Sequence, residues 1–266
     1  MADEFGHTGR FPPFHWWRTV FYLIPLISIY TIVLGTLSIA SSLFEERGRF
    51  AHWCARAWSH LILMTTGVRV HAAGLDRLVP GKTYVFVSNH QSIYDIPIIF
   101  ATLPFQVRII AKESLGNFPF LGWHLRRAGH LLVDRRDPNH GSILARWKGL
   151  VTRGLSLIVF PEGTRSVDGR VGRFHAGSFL LALEAGLPLV PLSVSGSRHV
   201  MRKGRLMTCP GEVALTVHEP INPPALETPT VRHARDLAAS ARAIIRPLAE
   251  QEVDAVLAHR SEVVSP

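Results

Sequence analysis

His90 and Asp95 are the residues of this sequence whose types and spacing best suit acid–base chemistry. They follow an apolar run at residues 83–87 that predicts a buried strand, and Pro97 suits the first turn of the helix predicted at residues 96–103. His90 therefore lies in a strand-to-helix turn. Such a turn can bring the carboxylate to one ring nitrogen and leave the other free to take a proton from a substrate. Taken alone, a buried histidine and an aspartate at a helix N-cap would also explain the pattern.

Two further segments place charged residues at the ends of predicted strands, where α/β folds position their sites. Arg135 follows the predicted strand at residues 130–133, and its guanidinium presents a fork of donors that matches phosphate. The sequence Phe-Pro-Glu-Gly-Thr-Arg-Ser at residues 160–166 follows the most apolar strand, and its Glu162 and Arg165 could orient polar substrate groups or one another. An exposed arginine and a surface ion pair would be the plainer explanation of each segment alone.

The elements that position these residues follow from the apolar pattern. It predicts seven strands at residues 68–71, 83–87, 107–110, 130–133, 155–160, 188–194 and 213–217, the last of them an edge. Helical patterns follow at residues 96–103, 121–127, 143–151 and 179–185, and a terminal helix at residues 231–257 with an interruption at Pro247. This alternation predicts an α/β fold with a mainly parallel central sheet flanked by helices. The apolar run at residues 187–192 is expected to build the sheet and a wall for an aliphatic ligand.

The N-terminal part is predicted to attach to a membrane. Residues 19–44 carry no charge, and a helix of that length extends about 39 Å, longer than a hydrocarbon core of about 30 Å. Residues 50–64 have an amphipathic pattern, so this helix either lies at the interface or packs on the catalytic domain. We therefore divide the chain into membrane-associated helices at residues 1–66, a catalytic domain at 67–225, and a C-terminal helix and tail at 226–266.

The charge of the chain restricts the class of partner. The formal net charge is +9, and residues 106–175 hold twelve Lys and Arg against five Asp and Glu. Such a field favours a phosphorylated substrate or an acidic membrane surface, whereas nucleic acid is disfavoured because no reader motif accompanies the charge. The two cysteines have no metal or disulfide spacing, and no HExxH is present. We therefore expect a reducing compartment and neither a metal nor a cofactor.

Taken in order, these segments resemble the phospholipid/glycerol acyltransferase family. Its pattern NHxSxxD is matched at residues 89–95, its arginine segment at 133–135, its FPEGTRS at 160–166 and its VPV-like run at 190–192. The resemblance covers about residues 67–217, and within the family the chain is most similar to the bacterial 1-acyl-sn-glycerol-3-phosphate acyltransferases. One position departs from the pattern, because His175 replaces the lysine of the family's F-K-x-G segment. The cationic contact that the resemblance implies there is therefore weakened or passes to Arg173 or His175.

The resemblance implies the family's fold, with a membrane-associated helical hairpin before the α/β domain. It also implies a role for each matched residue. His90 would be the general base and Asp95 the partner that orients it. The residues that would bind substrate are Arg135, Glu162, Gly163, Thr164 and Arg165.

The implied reaction transfers an acyl chain from an acyl carrier protein or coenzyme A thioester to the sn-2 hydroxyl of lysophosphatidic acid. Phosphatidic acid for phospholipid biosynthesis would form at the cytoplasmic membrane, with the catalytic domain facing the cytoplasm. Another lysophospholipid or an amino-acid lysolipid remains an alternative acceptor. A membrane lipid hydrolase would need a positioned nucleophile, and no Gly-x-Ser-x-Gly elbow is present. A lipid-binding protein that is not an enzyme would have no need of the His–Asp pair.

Overall fold

One sheet of seven strands forms the centre of the protein. The computed structural model describes residues 13–45, 48–118, 121–133, 140–224 and 227–251. Within these ranges the strands are β1 Val68–Ala73, β2 Val85–Ser88, β3 Val107–Lys112, β4 Leu131–Val133, β5 Ser156–Val159, β6 Leu189–Ser195 and β7 Gly211–Val217. Each strand begins within two residues of its predicted start.

The sheet is mainly parallel, which confirms the predicted fold class. Its order is β1-β7-β6-β2-β5-β3-β4, and β6 and β7 form the antiparallel pair. The predicted edge position of β7 is wrong, because β7 lies between β1 and β6. Its alternation of buried Val213, Leu215 and Val217 with more exposed neighbours has another cause. One face of the strand is covered and the other is open, which gives the same pattern as an edge strand.

Helices cover both faces of the central strands, so two hydrophobic cores lie back to back. Phe86 of β2 belongs to the first core, and its neighbours Val85 and Val87 belong to the second. This arrangement explains why the central strands are continuously apolar. The helices that follow the strands are α4 Asp95–Thr102, α5 Leu121–Arg127, α6 His140–Val151, α7 Gly177–Glu184 and α8 Ser197–Val200.

The C-terminal helix α9, Val231–Ala249, closes the second core with a stripe of small residues that includes Ala234, Ala238 and Ala241. The predicted interruption at Pro247 is wrong, because the helix continues through this residue to Ala249. A proline in the last turn removes one backbone hydrogen bond close to the point where the helix ends anyway. The rest of the predicted helix, from residue 252 onward, lies outside the described residues.

Before the sheet, the chain forms a helical hairpin. Its first arm is one continuous helix made of α1 Pro13–Trp17, a π-helical turn Arg18–Leu23 and α2 Ile24–Ser41, and its second arm is α3 Arg49–Thr66. By length and composition, Phe14–Ser41 is apolar enough to cross a membrane. The arms run antiparallel, since the indole of Trp58 donates to the Thr31 hydroxyl at 2.9 Å and Arg18 donates to Thr66 O at 2.7 Å.

Both ends of the first arm are fastened to the sheet domain. Near its start, the hydroxyl of buried Thr19 accepts the N–H of Thr208 at 3.0 Å. Near its end, the hydroxyl of buried Ser38 shares a hydrogen bond of 2.7 Å with Nδ1 of His124 on α5. These two attachments are about 28 Å apart along the helix. The arm therefore lies along the domain rather than projecting from it.

The opposite side of the hairpin is apolar and exposed. On the first arm the exposed large residues include Phe21, Ile29, Ile32, Val33 and Leu37. On α3, Cys54, Ile62 and Leu63 are buried, whereas Phe50, Trp53 and Met64 are exposed. The amphipathic pattern at residues 50–64 therefore has two apolar sides, one that packs on the domain and one that faces outward.

Candidate active site

The centre of the site is the turn between β2 and α4. Nδ1 of His90 lies 2.7 Å from Oδ2 of Asp95, which is fully buried in the first turn of α4. The same oxygen accepts the backbone N–H of Gln91 at 2.8 Å and of Ser92 at 2.9 Å. The turn thus folds His90 back onto a carboxylate that the turn itself holds.

This geometry determines which nitrogen of His90 carries a proton. Oδ2 of Asp95 already accepts two N–H groups, so the proton between the two side chains belongs to Nδ1 of the ring. Nε2 then presents a lone pair, and no hydrogen-bond partner is found for it in the described part of the chain. The ring stacks on Phe160, with centroids 4.2 Å apart, and its side chain is 16% exposed. Nε2 is therefore suited to accept a proton.

Two motif residues beside His90 anchor the turn. The amide of Asn89 forms a pair of 2.8 Å hydrogen bonds with the backbone N–H and C=O of Val194 on β6. The hydroxyl of Ser92 donates to Met201 O at 2.7 Å, which connects the turn to the segment after β6. Asn89 and Ser92 are both buried, so the turn that carries His90 is held by β6 and by the segment that follows it.

The C-terminal helix also holds the turn. Nε2 of buried Gln91 donates to Gly169 O and to Ala249 O, each at 2.9 Å. Glu250, which follows α9 and is 5% exposed, accepts the N–H of Val171 at 2.8 Å. The loop that carries residues 169–171 is thereby clamped between the turn and the end of α9.

Glu162 braces the backbone of the site. Its Oε1 accepts the N–H of His90 and its Oε2 accepts the N–H of Gly172, both at 2.8 Å. Burial raises the pKa of this carboxyl, against the two hydrogen bonds that lower it. No ion pair joins Glu162 to Arg165 among the described residues, so these two side chains do not orient one another. Its predicted contact with substrate stays a prediction.

The remaining residues of the FPEGTRS loop lie at the surface beside His90. Gly163 has φ +74° and closes the turn by donating to Phe160 O at 3.0 Å, a conformation that favours glycine. Thr164 is exposed and Arg165 is half-buried. No carboxylate pairs with Arg165 in the described ranges, so its guanidinium is free to bind an anion. Arg135 lies outside the described residues.

A cavity of about 410 Å³ opens beside His90 and Arg165. Its wall is mainly apolar and comes from both the hairpin and the sheet domain, with Leu34 and Trp58 from the hairpin and Phe100 from α4. The predicted wall at residues 187–192 is wrong, because β6 is buried within the sheet and contributes no residue to the lining. The cavity has the volume and the apolar wall typical of a small-molecule site.

The sequence analysis did not identify two histidines of the cavity wall, His124 and His130. Burial, together with the charge of Arg108, lowers the pKa of His124 to about 4, and the pKa of His130 is also held well below its usual value. Both rings are therefore neutral at pH 7, and Nδ1 of His130 accepts the N–H of Ile109 at 3.0 Å. Among the described residues, no group of three or more His, Cys, Asp or Glu side chains is placed to hold a metal ion.

Comparison with known proteins defines the class of this chain. The sequence profile described as Acyltransferase matches residues 69–195. A 1-acyl-sn-glycerol-3-phosphate acyltransferase from Pseudomonas aeruginosa is 32% identical over 195 residues, which cover 70% of this chain and 74% of the relative. The chain therefore belongs to the acyltransferase family, and this relative within it is a 1-acyl-sn-glycerol-3-phosphate acyltransferase.

Two further matches support this assignment. A chloroplastic 1-acyl-sn-glycerol-3-phosphate acyltransferase from Brassica napus is 34% identical over 183 residues, 67% of this chain and 53% of the relative. The crystal structure of the 1-acyl-sn-glycerophosphate acyltransferase PlsC from Thermotoga maritima has a TM-score of 0.65 at 26% identity, and the match covers 82% of this chain and 94% of that one. The chain spans about half the length of the chloroplastic relatives.

Proposed function

We propose that this protein transfers an acyl chain from an acyl thioester to the sn-2 hydroxyl of 1-acyl-sn-glycerol-3-phosphate, giving phosphatidic acid. The observation that carries the proposal is the free Nε2 of His90, oriented by Asp95, at an apolar cavity that Arg165 also lines. A base, a site for an aliphatic chain and a cation for a phosphate are the three elements that this reaction needs. The names of the relatives support the choice of acceptor.

His90 begins the reaction by taking a proton. A glycerol hydroxyl is a far weaker acid than an imidazolium, so Nε2 removes the proton as the oxygen attacks the thioester carbonyl. The new C–O bond forms, the C–S bond breaks, and the proton leaves with the thiolate. Asp95 stabilises the imidazolium that exists between these two transfers, through the 2.7 Å contact with Nδ1.

Transfer is direct rather than through an acyl-enzyme. Cys54 also lines the cavity, but burial raises the pKa of its thiol, which keeps it protonated and a poor nucleophile. The acyl chain of the donor occupies the cavity, where His124 and His130 are neutral and add no charge to the apolar part of the wall. On this proposal, acyl carrier protein or coenzyme A enters as a co-substrate, and no further cofactor takes part.

The assay that tests the function presents purified protein with a panel of lysolipids and both donors, and reads the products by mass. We expect phosphatidic acid from lysophosphatidic acid. Preferential acylation of another lysophospholipid or of an amino-acid lysolipid would show that this lipid is the acceptor instead. Release of free fatty acid from phospholipid would instead indicate a hydrolase, and binding without any product a lipid-binding protein.

Replacing Arg165 with alanine should weaken the binding of phosphorylated acceptors more than the binding of uncharged monoacylglycerol. A lost charge-assisted hydrogen bond is worth about 1.5–3 kcal/mol, so KM for lysophosphatidic acid should rise about 10- to 100-fold. The matched control is Arg153→Ala, which removes an exposed arginine that follows α6, outside the candidate site. Equal losses with both acceptors, or equal losses in both variants, would remove the phosphate role from Arg165.

We also propose that the hairpin attaches the enzyme to the cytoplasmic leaflet without crossing the bilayer. The support is the first arm, which is apolar and exposed on one side but fastened to the domain near both ends. A helix that crossed the membrane would have to leave these attachments or take the domain with it. The active site would then face the cytoplasm, where thioester donors are made.

A cysteine placed at Ala2, in a Cys54→Ser and Cys209→Ser background, tests this topology. The N-terminus stays on the cytoplasmic side in the proposed attachment, so a membrane-impermeant thiol reagent should label the cysteine after lysis and leave it unlabelled in intact cells. A cysteine at an exposed position of α9, such as Arg235, serves as the cytoplasmic control. Labelling of the residue 2 cysteine from outside would establish a span.

A further inference from the structure

The connection between β6 and β7 brings a second basic group to the FPEGTRS loop. Directly after α8, Met201 O accepts the hydroxyl of Ser92 at 2.7 Å, so the connection is held against the catalytic turn. The next residues are basic and include Arg202, Lys203 and Arg205. This part of the chain lies outside every motif that the sequence analysis identified.

Lys203 extends from this connection to the FPEGTRS loop. Its ammonium donates to the hydroxyl of Thr164 at 2.9 Å and to Arg165 O at 2.8 Å. Both acceptors are neutral, and no carboxylate pairs with Lys203 or with the Arg165 side chain in the described part of the chain. An ammonium has three donors, so one remains after these two contacts. The Lys203 ammonium is therefore held against the backbone of Arg165, and neither of these two cations is paired with a carboxylate in the described residues.

We propose that Lys203 is a second cationic contact for the phosphate of the acceptor and distinguishes a phosphate monoester from a diester. The inference rests on the proposed acylation of a lysophospholipid and extends it to a residue outside the matched motifs. Thr164 gains a role in the same step, because its hydroxyl holds the ammonium beside the loop.

The charge of the acceptor explains the need for two cations. A phosphate monoester carries about −1.5 to −2 charges at pH 7, whereas a diester carries one. The Arg165 guanidinium is a planar fork suited to two oxygens, and the ammonium is a compact point charge on a flexible stem that can reach the third. A diester has only two free oxygens, so none remains for the Lys203 ammonium once the Arg165 guanidinium is bound. Its single charge is also too small to balance both cations. Losing Lys203 should therefore affect the monoester far more.

The test compares Lys203→Met with Lys203→Arg and with the control Arg205→Met. Arg205 is an exposed cation on the same connection, and no ion pair or side-chain hydrogen bond is found for it among the described residues. Equilibrium binding is measured in detergent micelles for lysophosphatidic acid and for lysophosphatidylglycerol, each in a His90→Ala background that prevents turnover. Rates with both acceptors are then measured in the chain that retains His90.

Lys203→Met should raise the dissociation constant for lysophosphatidic acid about tenfold and that for the diester less than about threefold. Lys203→Arg should restore most of the loss, and Arg205→Met should change either constant less than about twofold. Equal losses with both lipids would show that Lys203 only supports the backbone of Arg165, and equal losses in Arg205→Met would show a general charge effect. Either result overturns the proposal.

Failure of the proposed function would look different. If the chain with His90 acylates neither lipid, the reaction is wrong, but the monoester preference in binding still tests Lys203. If acylation proceeds and the preference survives in Lys203→Met, the reaction stands and the role of Lys203 is rejected. The thermal midpoint of each variant is measured first, and a lysine variant that unfolds is replaced by Lys203→Gln.

Discussion

Replacing His90 with alanine should lower kcat for acyl transfer by about 10²- to 10⁴-fold, the usual contribution of a positioned general base. The reason is the free Nε2, which has no substitute among the groups that surround it in the described structure. KM for both substrates should change little, because the cavity and Arg165 remain. Steady-state rates at saturating lysophosphatidic acid and donor provide the measurement.

His71→Ala is the matched control for this variant. His71 is an exposed histidine on β1, outside the site. We expect near-normal kcat for the control and an unchanged thermal midpoint for both proteins. Near-normal turnover of His90→Ala at saturating substrates would show that the base lies elsewhere.

Replacing Asp95 with asparagine should lower kcat on the order of 10⁴-fold, by analogy with the aspartate of a hydrolase triad. Asparagine keeps the size of the side chain, and its carbonyl oxygen can still accept the N–H groups of Gln91 and Ser92. It loses the charge that stabilises a protonated His90. It also no longer requires the tautomer in which Nε2 is unprotonated. The pH–rate profile and kcat give the measurement.

The control for Asp95→Asn is Asp76→Asn, which removes an exposed carboxylate from the short 3₁₀ helix Leu75–Arg77, outside the site. We expect no change in kcat there. Asp95 is fully buried, so its variant is compared at a temperature well below its own thermal midpoint. A folded Asp95→Asn protein with a rate close to that of the starting chain would limit the role of Asp95 to accepting the backbone N–H groups of the turn.

The strands and helices of the sheet domain were predictable because each carries its signal locally. β2 and β5 are continuous apolar runs bounded by polar turns, and Pro97 marks the first turn of α4. The position of β7 in the sheet was not predictable, since it depends on pairing with β1, more than a hundred residues earlier. The continuation of α9 through Pro247 depends in the same way on packing against the second core.

The same distinction between local and distant contacts decides which parts of the site could be predicted. The contact between His90 and Asp95 lies within one turn of chain, so residue types and spacing were enough to predict it. The bracing role of Glu162 and the position of Lys203 depend on segments 10 to 72 residues away in sequence. No periodicity or motif encodes such contacts. Sequence reasoning therefore identified His90, Asp95 and Glu162, but it did not predict the backbone contacts of Glu162 or the position of Lys203.

The cavity wall has a practical consequence for the design of shortened proteins. Removing an N-terminal apolar helix is a common way to obtain a soluble fragment of a membrane-bound enzyme. Here the helix supplies Leu34 and Gly35 to the cavity, and α3 supplies Ala55 and Trp58. A fragment that began at β1 would therefore lose one side of this cavity along with the proposed membrane anchor. Exchange for an unrelated apolar helix would restore the proposed anchor but not the missing wall.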